Sequence, residues 1–140
     1  MRVFYPTTDL PTKASLLITN RCTNHCKHCY TSARDIQFTE LTAEQWKAVM
    51  DELEEGGVFE LYIGGGELFI RKDALELLDY ASKIKQFIVT ISTNGILVRR
   101  NIVDRLDDKV QIQVSIDGSE KSHDSIRGPN TYKKTMKNLG

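Results

Sequence analysis

Three thiols crowd into one short segment. Cys22-Thr23-Asn24-His25-Cys26-Lys27-His28-Cys29 reads C-x3-C-x2-C, and thiolates are soft ligands suited to zinc or to an iron–sulfur cluster. A structural zinc site closes with four protein ligands. Here the fourth would have to be His25 or His28, and both lie between the cysteines, which makes a shared tetrahedron awkward. A cubane [4Fe–4S] cluster takes four cysteines, one per iron. Three would leave one iron open to a small-molecule ligand. Inert buried thiols are the plainest alternative. Cys22, Cys26 and Cys29 therefore stand as candidate metal ligands, with a cluster the favoured occupant over zinc.

Other residue types sit where chemistry could use them. Gly64-Gly65-Gly66 removes Cβ atoms where backbone has to approach a ligand closely, and it frees φ. A plain strand-ending turn would use the same glycines. Glu67 follows directly, an anion placed where a ligand ammonium could meet it in a charge-assisted bond. A solvated carboxylate at a helix start is the commoner role for a lone Glu. Ser115 shares a strand face with Gln113, and a hydroxyl beside an amide suits a ribose. Arg127 offers a planar fork for a carboxylate. Solvated surface positions are the alternatives for both. Asn94 either bonds a ligand or caps a turn.

The elements that must position these residues alternate along the chain. Ala14 to Thr19 is a short apolar, partly β-branched run and reads as a strand leading into the cysteines. A helix follows from Leu41, with Thr42 as N-cap and Gln45 at capping-box spacing. Trp46, Val49, Met50 and Leu53 form its apolar face, and Gly56-Gly57 ends it. Val58 to Ile63 reads as a second strand, stopped by the glycine triplet. Asp73 opens a second helix, with Ala74, Leu77, Leu78, Ala81 and Ile84 on one face. Phe87 to Ser92 is a third strand, ended by Thr93-Asn94-Gly95. Val98 to Leu106 reads as a third helix and Val110 to Ile116 as a fourth strand, where apolar residues alternate with Gln111, Gln113 and Ser115. A parallel strand buried on both faces would be continuously apolar, so one face of this strand meets solvent or a wet cavity. Asp117 to Asn130 reads as a loop, and Thr131 to Leu139 as a further helix. Helix-length crossovers between successive strands require a parallel sheet with right-handed connections. The expected class is α/β.

Composition narrows the possibilities further. At 140 residues the chain fits one domain, at roughly 100–200 residues per domain. Lys plus Arg and Asp plus Glu each number 19, so zero net charge gives no electrostatic reason to expect nucleic acid or an anionic membrane as partner. No apolar run approaches the ~18–20 residues of a membrane helix, and Met1 to Asp9 has no signal-peptide pattern. An odd, tightly spaced set of cysteines argues against a secreted disulfide framework and for metal binding in a reducing cytoplasm.

Taken together and in order, these segments resemble the radical S-adenosylmethionine superfamily over about residues 14–140. The C-x3-C-x2-C loop follows the first strand, as in that family. Gly65-Gly66-Glu67 resembles its GGE motif, and Ser92-Thr93-Asn94-Gly95 its TNG segment. Ser115-Ile116-Asp117-Gly118, His123-Asp124 and Arg127-Gly128 are similar to the S-x-D-G…H-D-x-x-R-G stretch of the SPASM or twitch-type branch, which modifies peptides or haem. The resemblance implies that Cys22, Cys26 and Cys29 hold a [4Fe–4S] cluster. It implies an open iron that chelates S-adenosylmethionine, with Gly65, Gly66 and Glu67 at the methionyl end. It makes Ser115 and Arg127 candidate ribose or carboxylate contacts, His28 the adenine neighbour and Asn94 a further cofactor contact, while Tyr30 packs against the cysteine loop. The implied activity is reductive cleavage of S-adenosylmethionine to a 5′-deoxyadenosyl radical that abstracts a substrate hydrogen. A peptide or porphyrin-like substrate and a one-electron donor such as ferredoxin or flavodoxin are implied with it.

Three departures accompany the resemblance. Leu68-Phe69 follows GGE where proline is common. The strand pattern stops at four βα units, too few to close an eight-stranded barrel of ~250 residues, so residues 1–140 are expected to be the N-terminal portion of a partial (β/α)6 TIM-like barrel without strands five and six. These 140 residues contain no cysteine-rich extension to hold auxiliary clusters. An inactive fragment or partner subunit that retains the cysteine loop, and a zinc-stabilised binding module, are the competing readings.

Overall fold

The computed structural model describes residues 11–33 and 39–140; the Met1–Asp9 segment, where no targeting pattern was expected, lies outside them. Strand β1 (Lys13–Thr19) leads into the cysteine loop, and helix α1 (Ala43–Glu55) carries the chain back to β2 (Glu60–Gly65). A short 3-10 turn, Leu68–Ile70, precedes α2 (Ala74–Asp79), which runs on as a π-helical turn over Tyr80–Ile84 into β3 (Ile88–Thr93). Then come α3 (Arg100–Val103), β4 (Val110–Val114), α4 (Glu120–Arg127) and α5 (Thr131–Leu139). The strands form one sheet in the order β1-β2-β3-β4, with every neighbouring pair parallel. This is the α/β alternation expected.

Register gives the sheet two different faces. Leu16, Ile63, Ile91 and Ile112 align across the four strands, as do Ala14, Leu61, Val89 and Val110 in the next row. Both rows face the helices, where Met50, Leu77, Leu78 and Ala81 are almost wholly buried against them. Each large side chain so buried contributes about 1.5–3 kcal/mol. The intervening row, Ser15, Tyr62, Thr90 and Gln111, lies on the other face and carries no helix cover among the described residues. The alternation read from β4 alone is thus a property of the whole sheet, and the uncovered polar face leads up to the functional residues.

Helix α1 starts as expected: Gln45 N–H donates to the Thr42 hydroxyl at 3.2 Å and Thr42 N–H to the Gln45 side chain at 2.9 Å. Four expectations need correction. β2 is not stopped by the triplet; its pairing continues through Gly64 and Gly65, because β1 offers partners at Leu17 and Thr19. The third helix shrinks to Arg100–Val103, since Val98 is buried in the preceding loop rather than on a helix face. The second helix is not α-helical throughout, its last turn being π. The stretch read as a loop after Asp117 contains α4, where the Ser119 side chain accepts from Ser122 N–H.

Candidate functional site

All the site elements gather where the strands end, the position at which open α/β sheets bind ligands. β1 leaves its regular register between Leu17 and Thr19, and such irregularities re-aim the chain. The segment after it then runs against the end of β2: Gly66 N–H donates to Thr19 O and Glu67 N–H to Arg21 O, both at 2.8 Å. That contact explains the glycines. A Cβ on Gly65 would lie 2.3 Å from Thr19 O, and one on Gly66 would lie 2.2 Å from Arg21 O. Gly65 also sits at φ +120°. The close approach expected toward a ligand is in the first place an approach to the chain entering the cysteine loop.

Within the loop, Cys29 N–H donates to Cys26 O and Ser32 N–H to Cys29 O, each at 3.2 Å, and Lys27 N–H ties the loop to Ile126 O at 2.9 Å. The thiols of Cys22, Cys26 and Cys29 are free and half-buried. Cys22 Sγ accepts from Asn24 N–H at 3.4 Å; Cys29 Sγ lies 3.3 Å from Ala33 N and 3.4 Å from Thr31 Oγ1. Burial pushes the Cys22 thiol up, and burial also lifts Cys26 against the opposing pull of Arg127. At Cys29 burial is outweighed by the Thr31 hydroxyl and the amides of Ala33, Thr31 and Ser32, which hold the thiol below its ordinary value.

The three sulfurs line one open cavity of about 130 Å³. Gly65 and Gly66 line it too, as do Asn94, Ser115 and Arg127, and His28 and Tyr30 at the cysteine loop. Tyr30 is 77% exposed rather than packed on the loop. His28 Nε2 lies 3.5 Å from Asp117 Oδ2. The Arg127 fork already grips a carboxylate, that of Asp117, with Nε at 2.5 Å and Nη2 at 3.4 Å; the guanidinium holds the Asp117 carboxyl below its usual range.

Glu67 lies elsewhere. Its side chain is fully buried and turned behind the cavity wall. It accepts from Thr93 Oγ1, 2.9 Å from both oxygens, from Asn94 N–H at 3.0 Å and from Phe69 N–H at 3.4 Å. Burial raises its pKa, and these donors offset only part of the rise. With no exposed surface, Glu67 offers a ligand ammonium in the cavity no direct contact in this arrangement. Asn94, 6% exposed, takes the turn-capping role of the two foreseen for it. Its Oδ1 accepts from Ile96 N–H at 2.9 Å, capping the turn, while Nδ2 donates to Thr23 Oγ1 at 2.9 Å and faces Cys22 Sγ at 3.9 Å.

Sequence reasoning missed the residues that fasten these turns. Thr135 Oγ1 on α5 donates to Asn94 O at 2.7 Å, and Asn138 Nδ2 donates to Gly95 O and Ile96 O at 3.0 and 2.8 Å. Thr93 and Asp117 stood inside quoted motifs, so their motif context was the available signal; Thr135 and Asn138 had none.

The donor set can be tested against a metal centre. Among the described residues, no three His, Cys, Asp or Glu side chains converge as a single bound ion requires. A cubane distributes its thiolates over separate irons, and three free thiols with N–H and O–H groups aimed at two of them suit that distribution. The residues fit a three-thiolate cluster with room for a ligand beside it.

Comparison with known proteins agrees. Residues 16–140 match the model of the Radical SAM superfamily. The chain is 40% identical over 114 residues to Fe-coproporphyrin III synthase of Methanosarcina barkeri, covering 79% of this chain and 28% of that protein. It is 36% identical over 134 residues to mycofactocin maturase MftC of Mycobacterium tuberculosis, covering 94% and 34%. The chain thus spans about a third of the length of these relatives. In fold it is similar to Streptococcus suis SuiB bound to S-adenosylmethionine, with a TM-score of 0.78 at 21% identity over 89% of this chain and 30% of that one. With its cysteine loop, strand-end glycines and parallel βα units accounted for, the chain belongs to the radical S-adenosylmethionine superfamily.

Proposed function

We propose that this chain forms the cluster- and cofactor-binding side of an enzyme that cleaves S-adenosylmethionine reductively. The observation that supports it most is the sharing of one cavity by three free thiols, the Gly65-Gly66 backbone, Asn94, Ser115 and Arg127. The family uses a [4Fe–4S] cluster and S-adenosylmethionine. A cluster held by the three thiols would supply the one electron that reductive cleavage of bound S-adenosylmethionine requires. The hard chemistry is the cofactor's; the protein positions it and excludes water.

In this reading Cys22, Cys26 and Cys29 ligate three irons. Gly65 and Gly66 present their backbone to the methionyl end, and Glu67 braces that turn from behind. Ser115 and Gln113 offer polar groups to the ribose. His28 borders the adenine, and Arg127 holds Asp117 at the rim. Residues 1–140 are then the N-terminal part of the core domain, and the uncovered face of the sheet faces the interior of a partial barrel. The relatives' names are those of a maturase and an Fe-coproporphyrin III synthase, and Streptococcus suis SuiB also has a structure bound to a precursor peptide; we extend two substrate classes, peptide or porphyrin-like, to this chain. A ferredoxin or flavodoxin supplies the electron, and a reducing cytoplasm suits three free thiols; no helix among the described residues is long and apolar enough to cross a membrane. The test is anaerobic reconstitution of the protein with iron and sulfide, followed by chemical reduction with S-adenosylmethionine present. Release of 5′-deoxyadenosine and methionine supports the reading; a loaded cluster that leaves the cofactor intact and unbound counts against it.

A further inference from the structure

We propose that Asn94 tunes the reduction potential of the cluster by donating a side-chain hydrogen bond to the Cys22 sulfur. This rests on the cluster reading above but concerns a residue from a different strand end.

The orientation of the Asn94 amide is determined by its partners. Ile96 N–H needs the Oδ1 acceptor at 2.9 Å, so the NH2 group is the half that faces Thr23 and Cys22. One hydrogen goes to Thr23 Oγ1 at 2.9 Å, and Cys22 Sγ lies 3.9 Å from the same nitrogen, at the long end for a bond to sulfur. The residue is anchored on both sides of its backbone: its N–H donates to Glu67 at 3.0 Å and its C=O accepts from Thr135 at 2.7 Å. Since Glu67 is itself fully buried, the amide is held in register from behind the cavity wall. The other donors to Cys22 and Cys29 named above come from the cysteine loop itself.

Hydrogen bonds to the sulfurs are among the terms that set a cluster's potential. Each draws electron density from the thiolate and favours the reduced, more negative state. Asn94 is therefore a positioning residue that acts through Cys22. At 3.9 Å the bond is long, so its strength depends on the position of the turn after β3.

Spectroelectrochemical titration of the reconstituted protein, without S-adenosylmethionine, tests this. Asn94→Ala removes the donor. Asn94→Ser removes it too but keeps an oxygen that can accept from Ile96 N–H, because serine forms the same local turn more weakly. Both variants should load four irons and become three- to tenfold harder to reduce, about 30–60 mV more negative at ~59 mV per tenfold for one electron. Thr23→Ala keeps the Asn94 donor and should shift the potential by less than twofold or in the positive direction. Fully loaded Asn94→Ser with an unchanged or more positive potential would overturn the proposal, as would a Thr23→Ala shift equal to that of Asn94→Ala. Failure of the unmodified protein to bind iron strikes the cluster reading instead.

Discussion

Replacing Glu67 separates a brace between two turns from a ligand contact. Alanine would strip the acceptor from two well-formed buried donors, Thr93 Oγ1–H and Asn94 N–H, and from the longer Phe69 N–H contact. A buried donor left unsatisfied costs about 1–3 kcal/mol, so two give a loss of ~2–6 kcal/mol, a large part of a typical domain's ~5–15 kcal/mol. Glutamine keeps one acceptor oxygen for Asn94 N–H, and its cost should be about 1–2 kcal/mol on the same scale. pH adds a second signature. Burial raises the folded-state pKa of Glu67 above that of a free glutamate. A carboxyl with a raised folded pKa contributes stability that is fully present below its unfolded value, about 4.3, and lost as pH rises through the folded value. Glutamine does not titrate, so the deficit of Glu67→Gln relative to wild type should shrink as pH rises from acid toward neutrality. Denaturant unfolding of the two proteins at several pH values measures this, beside a titration with S-adenosylmethionine. As a brace, Glu67→Gln lowers stability and leaves affinity within a few-fold. A direct bond to the cofactor's ammonium would be worth ~1.5–3 kcal/mol, a loss of ~10–150-fold. Unchanged stability at every pH with a tenfold or greater loss of affinity would refute the brace.

Other perturbations follow from the same contacts. Gly66→Ala places a Cβ 2.2 Å from Arg21 O, against backbone that cannot yield; loss of soluble, cluster-competent protein is expected, and normal iron content would contradict it. Thr135→Val removes the hydroxyl that donates to Asn94 O and should cost about 1–3 kcal/mol by leaving that carbonyl unpaired, readable as a lower midpoint in denaturant. Thr42→Ala breaks the capping box of α1 and should cost ~0.5–2 kcal/mol without altering iron binding.

What could be read from the sequence was local. The C-x3-C-x2-C spacing, the Thr42–Gln45 capping box and the period of Trp46, Val49, Met50 and Leu53 each depend on residues a few positions apart. Helix α4 escaped because Glu120–Arg127 has one apolar residue, Ile126, and so no 3.6-residue stripe to recognise; Ser119 before it and Gly128 after it were its only marks. The role of Glu67 escaped for a different reason. Its partners Thr93 and Asn94 lie 26 and 27 residues away, and they meet it only because β2 and β3 pair in one register and end together. The same holds for the glycines, whose need for a missing Cβ comes from Thr19 and Arg21 on a strand exit that sequence alone does not bring near. Fold class and the crowding of three thiols at a strand end were legible; the packing behind the cavity wall was not.

The central claim is that Cys22, Cys26 and Cys29 together carry a cluster with one iron facing the cavity. Electron paramagnetic resonance of the anaerobically reconstituted, reduced protein, recorded with and without S-adenosylmethionine, tests it most directly. The account predicts a reduced four-iron signal that changes shape when the cofactor is added, and loss of that signal on changing any one of the three cysteines to alanine. A protein that binds zinc in place of iron, or a cluster signal that survives removal of all three thiols, would contradict it.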